Sequence, residues 1–137
     1  MAARKNQPPD PDQTRPSLHG LRCLVIDDEV LIAMDLEHIL QSAGAVEVVC
    51  CGRTADALAA IASEPPFAVA IVDFDLGGAN DMAVPTALRQ RGIPFVFFTG
   101  INESDPRLRQ FEAAPVVSKP YSVDELFAAL RRALRKS

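Results

Sequence analysis

Four short apolar runs in this sequence each stop at a residue able to do chemistry. Leu21-Arg22-Cys23-Leu24-Val25-Ile26 stops at Asp27-Asp28, and Phe67-Ala68-Val69-Ala70-Ile71-Val72 stops at Asp73. Pro94-Phe95-Val96-Phe97-Phe98 stops at Thr99-Gly100, and Pro115-Val116-Val117-Ser118 at Lys119-Pro120. One polar stop is commonplace, but three carboxylates, a hydroxyl and an amine at equivalent stops form a set. Crowded carboxylates raise one another's pKa and call for a cation between them. The set offers oxygens and neither imidazole nor thiolate, so the ion it selects is hard: Mg²⁺, with Mn²⁺ tolerated. Such an ion keeps open positions and bridges readily to a phosphoryl oxygen, whose remaining charge the Thr99 hydroxyl and Lys119 ammonium can neutralise. Lys119 is the sole lysine between residues 6 and 135, a span that holds ten arginines. Asp75, two residues past Asp73, adds a carboxylate that can orient water, repel an anionic phosphoryl group, or simply face solvent.

These residues need a scaffold that brings four chain segments to one edge. The runs are 4–8 residues long, β-branched or aromatic and without strict alternation, which fits strands buried on both faces. A fifth run, Val46-Glu47-Val48-Val49-Cys50-Cys51, lies between the first two. Helical patterns separate the runs. In residues 29–43, Ile32, Leu36, Ile39, Leu40 and Ala43 share one face, and Gly44 supplies a stop. Thr54 is placed to cap a second helix that runs to about Ser63 before Pro65-Pro66. A third begins near Pro85 and ends at Gly92. Ser104-Asp105-Pro106 starts a fourth, which Pro115 limits to about two turns. The last carries a capping box, Ser122-x-x-Glu125, an apolar face of Val123, Leu126, Phe127, Leu130 and Leu134, and a basic end at Arg131, Arg132, Arg135 and Lys136. Strand–helix alternation with short links predicts a doubly wound α/β domain with a parallel sheet and helices on both faces. In such sheets ligands bind beyond the carboxyl ends of the strands, where these stops lie.

The chain's 137 residues, 48% of them apolar, suffice for one core. A net charge of −4 and a pI near 5.1 argue against a nucleic-acid-coating protein. Four of the eleven prolines, Pro8, Pro9, Pro11 and Pro16, crowd residues 1–19, which read as a flexible tail before a domain at 20–137. No run approaches a membrane span, the N-terminus lacks a signal peptide's apolar region, and the three cysteines lack metal-ligand spacing. A cytoplasmic protein away from the membrane is expected.

Asp27-Asp28, Asp73 followed by Leu76-Gly77-Gly78, Thr99-Gly100 and Lys119-Pro120-Tyr121 resemble, in order and spacing, the receiver domain of bacterial two-component response regulators. The likeness covers residues 21 to about 135. The stretch Pro94–Gly100 is also similar to a single-domain receiver subgroup marked by Pro-Phe-x-Phe-Ala-Thr-Gly, with Phe98 in place of alanine. The resemblance implies a flavodoxin-like, five-stranded sheet of order 2-1-3-4-5. It implies that Asp73 accepts a phosphoryl group from a phosphohistidine. Mg²⁺ would be held by Asp28 directly, Asp27 mainly through water, Asp73, and the backbone carbonyl of Asp75. Thr99 and Lys119 would contact the phosphoryl group, and the Lys119-Pro120 bond would be cis. Implied partners are a histidine kinase or phosphotransfer protein, a downstream protein target and a second copy of the chain. Many receivers carry Tyr or Phe three residues before the lysine; Val116 stands there, so an aromatic swing from that position is impossible.

A haloacid-dehalogenase-like phosphatase is the rival, since Asp73-Phe74-Asp75 resembles its Asp-x-Asp motif. That motif normally follows the first core strand, whereas Asp27-Asp28 comes first here. A non-phosphorylated pseudo-receiver is a second rival, though such chains generally lose one of the residues kept here. The expected role is phosphoacceptance, without turnover of a substrate and without an output domain. Signalling would then go by protein contact or by draining phosphoryl groups from other receivers. On the first helix, Leu31, Met34 and His38 oppose the core beside Asp27-Asp28, a place for a kinase helix hairpin to dock.

Overall fold

The computed structural model describes residues 17–75, 82–100, 105–111 and 113–135. Leu76-Gly77-Gly78, Ser104, Lys136 and residues 1–16 of the expected tail lie outside them. The chain runs β1 (Arg22–Ile26), α1 (Val30–Ser42), β2 (Glu47–Cys51), α2 (Thr54–Ala62), β3 (Val69–Asp73), α3 (Ala83–Arg91), β4 (Phe95–Thr99), a 3-10 segment (Pro106–Phe111), β5 (Val116–Ser118) and α4 (Val123–Arg135). The five strands form one sheet in the order β2-β1-β3-β4-β5, each pair parallel. Strand order reverses between β1 and β3, so the crevice above those two ends is the switch point.

Every residue of β3 and β4 is buried, as expected for central strands whose sequences stay apolar up to their last residue. Alternate side chains feed two cores. Cys23, Val25, Ile71, Val96 and Phe98 pack under α1 and α4 with Leu36, Leu40, Leu126 and Leu130. Leu24, Ile26, Val72, Phe95 and Phe97 face α2, α3 and the 3-10 segment with Ile61, Leu88 and Phe111. On that second side, Phe74, Phe95, Phe97 and Phe111 meet edge to face, with centroids 5.2–6.0 Å apart.

Helix ends follow local chemistry with three revisions. Gly44 (φ +105°) ends α1 and Gly92 (φ +76°) ends α3, both in conformations that L side chains rarely adopt. The Ser122 hydroxyl accepts the Glu125 N–H at 3.1 Å at the start of α4. Thr54, expected as a cap, is instead the first residue of α2, whose cap position is Arg53. The expected fourth helix is a 3-10 segment: Pro106 offers no N–H, and Asp105 Oδ1 accepts the Arg107 N–H at 2.9 Å to start the tighter turn. The boundary drawn at residue 19 also moves. Leu18, assigned to the tail, is fully buried in the α1/α4 core and donates its N–H to the Ala43 carbonyl at 3.1 Å. Among the described residues, no helix is long and apolar enough to cross a membrane.

Candidate functional site

The backbone ladder itself sets the site. Asp27 follows β1 and donates its N–H to Cys51 at 3.0 Å, extending the β1–β2 pairing by one residue. Asp73 and Thr99 are the last residues of β3 and β4. Lys119 follows β5, and its N–H bonds the Thr99 carbonyl at 2.8 Å. A strand ladder carried to the same height in four parallel strands thus delivers four polar side chains to one edge.

Asp27 and Asp73 are each 4% exposed and Thr99 is fully buried. Lys119 Nζ stands 3.7 Å from Asp27 Oδ2 and 3.6 Å from Asp73 Oδ1. Burial pushes the Asp73 carboxyl up to about 6; the nearby carboxylates add to the rise, while the Asp75 N–H (2.9 Å to Oδ1) and the Lys119 charge oppose it. Burial likewise raises Asp27, against the Glu29 N–H (2.8 Å to Oδ1) and Lys119. Burial alone would lower the Lys119 ammonium, but Asp73, Asp27 and Glu29 together outweigh it and raise it.

A metal is testable on this geometry. Oxygens of Asp27, Glu29 and Asp73 lie within 4.8 Å of one another, and among the described residues Asp27 Oδ2 is buried without a hydrogen-bond partner. A buried carboxylate oxygen lacking a donor is costly, and an oxygen-only set suits a hard divalent ion. The residues therefore fit Mg²⁺. Of the residues proposed from sequence, Asp27, Asp73 and Lys119 converge, and Thr99 ends the strand beside Asp73. Asp28 is exposed and stands outside the group of three. Asp75 is exposed, with its carboxylate 3.5 Å from the Gly100 N–H. Glu29 was missed. Its Oε1 lies 3.3 Å from Lys119 Nζ, and the available signal was the third acid of the Asp27-Asp28-Glu29 run.

The aromatic neighbour of the site is also displaced from the usual receiver position. Val116 packs toward the α2/α3 side. Tyr121, two residues past Lys119, lays its ring against Phe98 with centroids 4.8 Å apart and donates its hydroxyl hydrogen to Asp35 on α1. The ring pair links the residue before Thr99 and the turn after Lys119 to α1. The Lys119-Pro120 bond is cis, as the resemblance implied.

Comparison with known proteins finds relatives over most of the chain. The chain is 32% identical over 114 residues to the phyllosphere-induced regulator PhyR of Methylorubrum extorquens, covering 81% of this chain and 42% of that protein. It is 33% identical over 122 residues to the transcriptional regulatory protein TctD of Salmonella typhimurium, covering 85% of this chain and 53% of that one. The chain thus spans about half the length of these relatives. The solution structure of BeF3-activated SdrG from Pseudomonas melonis Fr1 superposes with a TM-score of 0.69 at 36% identity, covering 84% of this chain and 98% of that one. The sequence model of the response regulator receiver domain matches residues 23–131. That match runs from the second residue of β1 into α4 and takes in every strand-end residue described above: the chain belongs to the response regulator receiver domain family.

Proposed function

We propose that Asp73 accepts a phosphoryl group from a phosphohistidine on a histidine kinase or phosphotransfer protein, and that the modified chain signals by protein contact or acts as a phosphate sink. Phosphorylation and Mg²⁺ binding are typical of the family. The observation that carries the reading is the buried Asp73 carboxylate facing Lys119 Nζ at 3.6 Å, at the switch point of the sheet. A carboxylate oxygen attacks phosphorus, and the bond to the histidine nitrogen breaks. That nitrogen leaves with the electron pair. Backbone N–H bonds to Oδ1 of Asp27 and of Asp73 fix both carboxylates, so the attacking oxygen is positioned before the donor docks. Lys119 and the Thr99 hydroxyl then take charge from the transferred group. Asp27, Asp28, Asp73 and the Asp75 carbonyl would hold Mg²⁺, which when bound supplies the positive charge that lets an anionic donor approach an anionic acceptor.

On α1, Val30 (69%), Leu31 (81%) and Met34 (59%) are exposed beside this edge, an apolar surface suited to a kinase helix pair. Cys23, Cys50 and Cys51 are all free thiols, in keeping with a cytoplasmic setting.

Incubation with acetyl phosphate and Mg²⁺ is expected to add one phosphoryl group per chain by intact mass, and EDTA is expected to prevent it. No mass shift would favour the pseudo-receiver, and turnover of p-nitrophenyl phosphate beyond one equivalent the phosphatase. Asp75→Asn is expected to change the lifetime of that group several-fold in decay assays, since the exposed carboxylate stands two residues from the acceptor. An unchanged lifetime would mark Asp75 as a solvated loop acid.

A further inference from the structure

Three carboxylates surround the Lys119 ammonium, with Glu29, Asp73 and Asp27 at 3.3, 3.6 and 3.7 Å from Nζ. Of the three, Glu29 holds a hydrogen bond from Nζ, while the two aspartates pair with it by charge at longer range. A phosphoryl oxygen arriving on Asp73 competes with these carboxylates for the Nζ charge and its donors. Two are in no position to leave. Asp27 and Asp73 are buried, and each is tied through Oδ1 to a backbone N–H, at 2.8 and 2.9 Å. Glu29 differs: its side chain is 59% exposed, so water can solvate the carboxylate as it swings out. Lys119, only 16% exposed, stays behind with the buried acids.

Resting on the phosphoacceptor reading above, we infer that Glu29 is a placeholder for the phosphoryl group. It occupies a donor of Lys119 while Asp73 is unmodified, and it competes with the phosphoryl oxygen for that donor afterwards. Glu29 makes and breaks no bond in the transfer; it is a positioning residue that acts through Lys119 and sets how tightly the modified state is held. Ion pairs with one exposed partner are weak, so the competition amounts to about two- to fivefold in affinity.

The test titrates beryllofluoride, a phosphoryl mimic, at saturating Mg²⁺ into the full chain and its Glu29→Gln and Glu37→Gln variants, with Mg²⁺ affinity measured separately. Glu37 lies within α1, beside Cys50, so its variant makes the same charge change away from Lys119. Glu29→Gln is expected to bind beryllofluoride about two- to fivefold more tightly, and Glu37→Gln to match the wild type. The side-chain resonance of Lys119 in the metal-free protein is expected to shift in Glu29→Gln, while those of Lys5 and Lys136 do not. Equal or weaker beryllofluoride binding by Glu29→Gln overturns the proposal. So does a tenfold or greater loss of Mg²⁺ affinity, which would make Glu29 a metal ligand. If the wild type binds no beryllofluoride, the phosphoacceptor reading fails and the placeholder with it; wild-type binding with an unchanged Glu29→Gln removes the placeholder alone.

Discussion

Replacing Asp73 with Asn is expected to abolish phosphoryl labelling while leaving the fold intact. Asparagine matches the shape of the side chain at the end of β3 but lacks the anionic oxygen that attacks phosphorus. Labelling of Asp73→Asn at wild-type stoichiometry would assign the acceptor elsewhere. The same substitution has a measurable effect on stability in EDTA. The Asp73 carboxyl titrates near 6 in the fold against 3.8 ordinarily, so the folded chain binds this proton more tightly than the unfolded chain. Below pH 4 both states hold the proton and burial of the carboxyl costs nothing on this account. Between about 4 and 6 the unfolded state loses its proton first, and stability falls as pH rises; above 6 the full cost is present. Metal-free wild type is therefore expected to melt at a higher temperature at pH 5 than at pH 7, with a smaller difference in Asp73→Asn. Asp27, also raised by burial, keeps part of the dependence.

Phe98→Ala is expected to cost about 3–5 kcal/mol and to lower the melting temperature by more than about 10 °C. For a domain whose whole stability is on the order of 5–15 kcal/mol, that is a large share. The similar receiver subgroup carries alanine here, which taken alone would argue for a mild change. The structure argues otherwise: Phe98 is fully buried, its ring packs at a tilt of 52° against Tyr121, and its carbonyl accepts the Phe74 N–H at 2.7 Å. Removing the ring opens a cavity under α1 and α4 beside Thr99 and frees Tyr121 from its wall. A urea or thermal melt showing a loss below 1 kcal/mol would mean that Tyr121 collapses into the space, as alanine at this position would permit.

Much of this was legible in residue order. Strands buried on both faces write themselves as unbroken apolar runs, and β3 and β4 were readable from Phe67–Val72 and Pro94–Phe98 for that reason. The strand-end polar residues were readable because a parallel sheet has one carboxyl edge. What was not readable came from tertiary context. Leu18 sits among tail-like prolines and polar residues, and nothing local says that α1 ends beside it. Thr54 has capping chemistry, but the chain turns into the helix one residue earlier. Glu29 carries no local signal of its own beyond the acidic run, and its meeting with a lysine 90 positions later depends on the sheet order. The route from Phe98 through Tyr121 to Asp35 crosses 86 positions in its last step and has no periodic signature at all.

The lysine that steadies the site hangs from the weakest part of the sheet. β5 has three residues, lies at an edge and, among the described residues, is paired on one side only, with β4. Detaching so short a strand takes far less free energy than unfolding β1 or β3, which are flanked on both sides. Partial opening at this edge withdraws the ammonium from Asp27 and Asp73 together, leaving two buried anions facing each other with the rest of the molecule folded. Occupancy of the acidic pocket and the integrity of a three-residue strand are thus linked: a cation that neutralises the two aspartates weakens the ammonium's hold on the edge, and an anion that pairs with the ammonium strengthens it.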